Sequence, residues 1–359
     1  MKHENLPHCN VIIAGAGIAG LVAADALTRA GKTVMVFEAR DRIGGRAHSI
    51  HTPGGTIELG ATWFWANEPL VQSLADELGI DSFAQHREGD ALFDPDGRQM
   101  QRLDGNPIDA PSARFVPGAQ ELPRRLADRL PYGTLRLSDP VTAIALTGDG
   151  VRVEAGSGSL AADHVVIAVP PPLAVDQISF TPPLPTAVQQ SAEAMAVWMG
   201  GTVKAVAVYD DAFWRAEGLS GSAISYHGPF REFHDHGGPG TSLAALFAFA
   251  PAEQFTGADT PAIERAFREQ LGKMFGSAAT TPCEVHIIDW SRETFTTPQI
   301  PAANASTGSY GAPALQHPVE GHIHWASTET DTQYAGHLEG AIRAGMQAAR
   351  RILASTTTD

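Results

Sequence analysis

The sequence predicts an α/β protein in which a Rossmann-like dinucleotide-binding unit is joined to a second unit of mixed sheet and helix. Three observations point there. Residues 11–37, VIIAGAGIAGLVAADALTRAGKTVMVF, read as strand, glycine turn, helix and strand. The turn carries Gly15-x-Gly17-x-x-Gly20, and an acid, Glu38, follows the next strand. Further strand-like runs at 163–170, 202–209 and 285–289 alternate with helical stretches, as α/β layering requires.

Taken in order, 11–14 is a short apolar strand. The loop Gly15, Ala16, Gly17, Ile18, Ala19, Gly20 lets a phosphate-bearing backbone approach the start of a helix, whose free N–H groups favour negative charge. That helix spans 18–30 and stops at Gly31; the strand 34–37 follows. Glu38 stands where an acid holds ribose hydroxyls, and an acid there fits an unphosphorylated ribose. Residues 89–119, rich in Gly, Pro and Asp, read as loop with short elements. The strand 163–170 is stopped by Pro170, Pro171 and Pro172. The strand 202–209 is built of Val and Ala yet carries Lys204, an ammonium group that is costly to bury unless paired or shifted in pKa. An amphipathic helix is expected at 333–353.

Bulk properties bound the function. A chain of 359 residues with 43% hydrophobic content suits two domains. A net charge of −15 argues against a nucleic-acid partner, since phosphate binding wants a basic face. Two cysteines, Cys9 and Cys283, form no disulfide framework, which points to a reducing compartment. The first ten residues lack an apolar signal core, no run approaches a spanning helix, and the tail STTTD is polar. The expectation is a soluble cytoplasmic protein with no membrane partner. No metal site is expected: His227, His234, Asp235 and His236 read as a polar loop over 226–238, and His322 and His324 as structural residues on one strand face. No GxSxG nucleophile elbow occurs.

Two longer stretches narrow the cofactor. EARDRIGGRAHSI, from 38 to 50, resembles the second FAD signature of the flavin-containing amine oxidase family, which includes monoamine, polyamine and L-amino acid oxidases. HWASTETDTQYAGHLEGAIRAGMQAA, from 324 to 349, is similar to the last FAD motif of that family. The resemblance implies a Rossmann-like FAD-binding domain of the glutathione-reductase type over 8–66, 114–173 and 291–355. It would be interleaved with a mixed-sheet plus helix substrate domain over 67–113 and 174–290. It assigns FAD contacts to Glu38, Ala39, Arg40, Gly44 and Gly45, with Arg46 on the pyrophosphate. Gly60, Ala61, Thr62 and Trp63 would run beside the isoalloxazine, and the Val141 backbone would meet the adenine. Glu329 would hold the ribityl or pyrophosphate part, and His337 and Leu338 open a helix aimed at the flavin. Lys204 takes the place of the family's catalytic lysine, which reaches flavin N5 through a water. Gln299 stands at the tether position of members that bind FAD covalently, so FAD is expected to be non-covalent.

The chain also departs from the family. The segment between Trp65 and Pro117 is shorter than usual, so the substrate part is reduced. The two positions of the usual aromatic cage hold Ile300 and His337, leaving Trp63, Trp65, Phe64 or Tyr310 to supply aromatic walls; substrate contacts are expected from Trp63, Ile300 and His337. The arginine clamp of amino acid oxidases is replaced by Thr62-Trp63. The resemblance implies hydride removal from a C–H next to nitrogen, imine hydrolysis, and reoxidation by oxygen or another acceptor. Alternatives are a desaturase or dehydrogenase of the same fold acting on a non-amine substrate, and a flavoprotein without turnover.

Overall fold

The protein is described from a computed structural model covering residues 6–240 and 243–355. The outermost residues of both polar ends, 1–5 and 356–359, lie outside the described residues.

An eight-stranded sheet organises the first half of the fold. The strand His8–Ala14 lies between Val34–Phe37 and the second half of Gly158–Ile167, parallel to both. Leu135–Arg136 extends the parallel part on one side, and Ile323–Trp325 pairs with the end of Gly158–Ile167. Such strands are buried on both faces, which is why they read as unbroken apolar runs. Val141–Leu146, Val151–Ala155 and the first half of Gly158–Ile167 form an antiparallel meander on the far side, with Ser179–Thr181 parallel to Val141–Leu146 at the edge.

Helices Ile18–Arg29 and Leu338–Ser355 cover one face of this sheet and lie against each other. Their approach is close: a Cβ on Gly345 would collide with the Ala19 carbonyl. The opposite face is packed by Ile12, Val165 and Trp325 under the helices Pro171–Gln177 and Thr186–Glu193.

A seven-stranded sheet forms the second layer. Its order is Glu284–Asp289, Thr202–Tyr209, Ala244–Pro251, Glu232–Asp235, Leu219–Ser225, Asp90–Asp94, Gln101–Leu103. Alternation along Thr202–Tyr209 decides what each face carries. Val203, Ala205 and Ala207 pack with Ile263, Phe267 and Leu271 of the helix Thr260–Phe275. Lys204 and Val206 point the other way, and Val206 joins Ile57 and Leu59 in the seam between the two sheets. Lys204 therefore sits in a central strand, not at an edge.

Three differences from the sequence-based expectations have physical causes. The last helix begins at Leu338 and not at residue 333, because Gly336 sits at a φ of 87° and 333–337 form a turn. The helix Pro69–Leu78, expected in the second unit, buries Val71, Ala75 and Leu78 in the first unit's core, where Glu339 accepts the Leu70 and Val71 N–H groups. The polar stretch 226–238 is no loop throughout: Glu232–Asp235 is a strand, and His234, Asp235 and His236 are buried. Much of their polarity finds partners inside the fold: Asp235 takes two hydrogen bonds from Arg215 and one from Trp214, and His234 Nδ1 meets Asp109.

Candidate active site

Between the sheets lies a cavity of about 700 Å³. On the first-sheet side its wall starts at the glycine turn. Gly15 holds a φ of 108°, which only glycine adopts without strain, and a Cβ on Gly17 would meet nothing within 4 Å. Gly17 caps the helix Ile18–Arg29 with no side-chain partner, so the first backbone N–H groups face the cavity unclaimed by a cap. This is an anion-binding arrangement. Glu38 is buried at the end of its strand. One carboxylate oxygen accepts the Ala16 N–H at 2.8 Å and the other the Arg40 N–H at 2.9 Å. Each oxygen keeps a lone pair for a ligand hydroxyl. These features fit an extended dinucleotide.

The wall continues through Ile18, Ala19, Ala39, Arg40, Gly44, Gly45, Arg46 and Val141. The Arg40 guanidinium donates to Glu293, to Thr296 and to the Phe295 carbonyl, and so ties 293–296 to the rim. Arg46 forms a bidentate pair with Glu329, at 2.6 and 3.0 Å, and donates to the Trp198 carbonyl. Glu329 is fully buried and also accepts the Trp198 N–H. Burial opposes its charge, but Arg46 beside it holds the carboxyl below its usual range.

Lys204 closes the second-sheet side. Its side chain is 1% exposed, and Nζ donates to the Gly60 carbonyl at 3.0 Å and to Thr62 Oγ1 at 2.5 Å. The ammonium also lies 4.5 Å from the centre of the Phe247 ring and 5.4 Å from Phe249. Burial pushes its pKa down to about 7; Glu58 pulls upward and Arg114 pushes further down. Glu58 is itself buried, and burial raises it. It accepts from Ser49 Oγ and from the Ala119 N–H, while its own N–H donates to His236 Nε2 at 2.9 Å. His236, under burial and the nearby Arg114 and Lys204 charges, is held well below its ordinary value and stays neutral.

The residues singled out in the sequence fall into three groups. Gly15, Gly17, Ile18, Ala19, Glu38, Ala39, Arg40, Gly44, Gly45, Arg46, Gly60, Ala61, Thr62, Trp63, Val141, Lys204, His337 and Leu338 line the cavity. Ala16, Gly20 and Glu329 stand behind its wall; a Cβ on Gly20 would strike the Gly15 carbonyl, so that glycine serves helix packing. Ile300 is a correction: it is 88% exposed and does not line the cavity, because its loop lies on the surface. Among the aromatic stand-ins, Trp63 and Trp65 line the cavity. Phe64 stacks on Phe115 and Tyr310 packs under the first sheet.

Sequence reasoning missed Trp198, Glu232, Phe249 and Trp290 on the cavity wall, and Glu58 and Arg114 behind it. Strand register brings Glu232 and Phe249 there, while Trp198 comes from a turn and Trp290 from a short helical turn; the one local signal was Glu58, an acid directly before the Leu59–Gly60 turn. His337 keeps Nδ1 at 2.6 Å from Glu68, with its ring against Trp65. Neither Cys9, buried in the first strand, nor Cys283, exposed, reaches the cavity.

Comparison with known proteins agrees with this geometry. The family of flavin-containing amine oxidoreductases matches residues 18–117 and 109–353. A putative flavin-containing monoamine oxidase of Mycobacterium tuberculosis is 30% identical, covering 96% of each chain. Putrescine oxidase of Kocuria rosea is 27% identical over 96% of this chain and 95% of its own. The first alignment runs over 447 positions against 359 residues here, so that relative carries residues this chain lacks. Among solved structures, cyclohexylamine oxidase from Brevibacterium oxydans superposes with a TM-score of 0.86 at 26% identity, covering 98% of this chain and all of its own. Matched nearly end to end by this family, and with a cavity fit for its dinucleotide, the chain belongs to the flavin-containing amine oxidoreductases and is an FAD-dependent oxidoreductase of the amine oxidase type.

Proposed function

We propose that the protein oxidises a small amine at the carbon next to nitrogen and passes the electrons to molecular oxygen, with release of an imine and hydrogen peroxide. The carrying observation is Lys204, a buried cation in the cavity wall with a pKa brought down to about 7. Bound non-covalently along the glycine turn, Glu38, Arg46 and Val141, FAD supplies the centre that accepts a hydride.

The protein's contributions follow from its geometry. Gly60 and Thr62 take two positions on Lys204 Nζ, leaving a third N–H when it is charged and a lone pair when it is neutral. Near neutral pH the same nitrogen can hold a water as donor or accept a proton from it. A cation held there stabilises negative charge developing on oxygen. An amine must be neutral to release its electron pair, and the walls of Trp63, Trp65 and Phe249 favour that uncharged form by excluding water. His337, fixed by Glu68, presents a polar edge to the same space. The division into a flavin unit and a substrate sheet is part of this reading, with Pro69–Leu78 and 174–195 assigned to the flavin unit's core. A cytoplasmic location agrees with two free cysteines; among the described residues no helix is long and apolar enough to cross a membrane.

The test is an anaerobic screen of the yellow protein against amines, amino acids and non-amine alcohols and ketones, followed at the flavin absorbance. Bleaching by amines, then peroxide on admitting air, is expected. Bleaching only by non-amine substrates would assign the site to a desaturase or dehydrogenase.

A further inference from the structure

The turn that leads into the last helix sets a histidine and a buried carboxylate together on the cavity wall. His337 lines the cavity with its backbone fixed on both sides. Its N–H donates to the Tyr334 carbonyl at 3.0 Å, and its carbonyl accepts from Thr328 Oγ1 at 2.9 Å. The same turn is clasped to residues 65–68. Tyr334 Oη donates to the Asn67 carbonyl at 2.8 Å, and His337 Nδ1 meets Glu68 Oε1 at 2.6 Å.

Glu68 is 1% exposed. A carboxylate is costly to bury without partners, and this one has two: the His337 ring and, on its other oxygen, the Trp65 N–H at 2.9 Å. A carboxylate only accepts, so a neutral His337 carries its proton on Nδ1 and the lone pair falls to Nε2. The side chain is 38% exposed, with its ring 5.2 Å from that of Trp65. A fixed ring, a set tautomer and a basic nitrogen left for the cavity are what a proton acceptor needs. The other charged groups around this turn are engaged elsewhere. Glu339 accepts the Leu70 and Val71 N–H groups, Arg343 pairs with Asp331, and Glu329 with Arg46. Lys204, on the other sheet, donates to Gly60 and Thr62.

Resting on the reading of this cavity as the amine site, we propose that His337, positioned by Glu68, is the base that takes the proton from the substrate ammonium. The Nε2 lone pair bonds to one ammonium hydrogen. That N–H bond breaks, and its electron pair stays on the amine nitrogen, which becomes the neutral donor that oxidation requires. The imidazolium is paired with the Glu68 carboxylate and returns its proton to water after the product leaves. Aromatic walls that exclude water make an acceptor within the wall necessary.

The experiment has two arms. In the first, stopped flow follows anaerobic flavin reduction by subsaturating amine, at neutral and at strongly alkaline pH. An unbranched alkylamine is compared with its 2,2-difluoro analogue, whose ammonium is far more acidic. His337→Phe keeps a ring beside Trp65 and removes the nitrogens. His337→Phe/Glu68→Gln also removes the carboxylate left unpaired. Glu68→Gln alone offers an N–H to Nδ1 and so moves the ring proton to Nε2. Each variant should lose about 100-fold with the alkylamine at neutral pH, and at least about tenfold less with the fluorinated amine. The loss should fade in alkali, where the alkylamine enters as free base. Equal losses for the two amines, or a loss that ignores pH, would show that His337 only shapes the wall and would overturn the proposal.

In the second arm, 15N-histidine NMR of the flavin-loaded protein is recorded on adding a tert-alkylamine, which has no hydrogen on the carbon next to nitrogen and cannot be oxidised. In mildly alkaline buffer His337 should pass from the Nδ1–H tautomer to imidazolium, and Glu68→Gln should prevent this. A bound amine that leaves the ring neutral overturns the proposal. Imidazolium formation without flavin bleaching by any amine upholds the proton step and refutes the oxidase reading. Failure of the tert-alkylamine to bind overturns both.

Discussion

Replacing Lys204 by methionine should make the protein more stable at neutral pH, and the gain should vanish in alkali. The ammonium has an ordinary pKa of 10.5 and is pushed to about 7 by burial. Below pH 7 the lysine is charged in both folded and unfolded chains, and the full cost of the buried charge is present. Between 7 and 10.5 the unfolded chain binds the proton and the folded one does not, so wild-type stability rises with pH, by about 1.4 kcal/mol per unit. Above 10.5 the cost is gone. At pH 7 the cost amounts to about 4 kcal/mol. Methionine fills a similar volume but donates nothing, so the Gly60 carbonyl and Thr62 hydroxyl each lose a donor. Thr62 still donates to Gly60 at 3.2 Å, which limits that loss to about 1–3 kcal/mol. The net expectation is a variant more stable by about 1–3 kcal/mol at pH 7, with the difference shrinking by about 3 kcal/mol by pH 9.5. Urea unfolding of the flavin-loaded proteins at the two pH values measures it. A variant less stable than wild type at pH 7, or a difference that ignores pH, refutes the assignment of Lys204 as a strained buried cation.

The same substitution should slow reoxidation of the reduced flavin by oxygen about tenfold or more while changing anaerobic reduction less, which stopped-flow of the two half-reactions separates. Arg46→Ala leaves Glu329 fully buried without its cation; flavin retention should drop and stability fall by about 3–5 kcal/mol, with partial recovery in Arg46→Ala/Glu329→Gln. Acid precipitation should carry all yellow colour into the supernatant, since no cysteine reaches the cavity; colour in the pellet would mean a covalent tether. His337→Ala should raise KM for the best amine while flavin content stays unchanged, and unchanged kinetics would remove His337 from the substrate wall.

Local chemistry was legible in the sequence wherever neighbours along the chain make the site. The turn at Gly15–Gly20 and Glu38 is such a case, because one strand–turn–helix unit builds it. Lys204 was legible as an anomaly in an apolar strand, but its burial depends on two flanking strands from later in the chain. Glu232 and His234 were not legible. Their placement comes from register with Phe249 and Phe247 and from Asp109, 125 residues away in sequence. Composition misled at 226–238, where Asp235 and His234 find charged partners inside the fold and not in water. Ile300 was misplaced for the reverse reason: an apolar residue in a surface loop mimics a cavity wall when only its order in the chain is known.

Arg46 and Glu329 are joined across 283 residues, and Glu339 closes onto Leu70 and Val71. The flavin cavity is thus sealed by segments that leave the ribosome long after one another. Until residue 329 emerges, Arg46 has no counter-charge, and the flank of Ile18–Arg29 that meets Leu338–Ser355 is bare. The glycine turn, though made first, must wait as an unfinished cradle. Cofactor capture should therefore wait until Glu329 has been made, and nascent fragments stopped short of Glu329 should depend on holdase chaperones and carry no flavin.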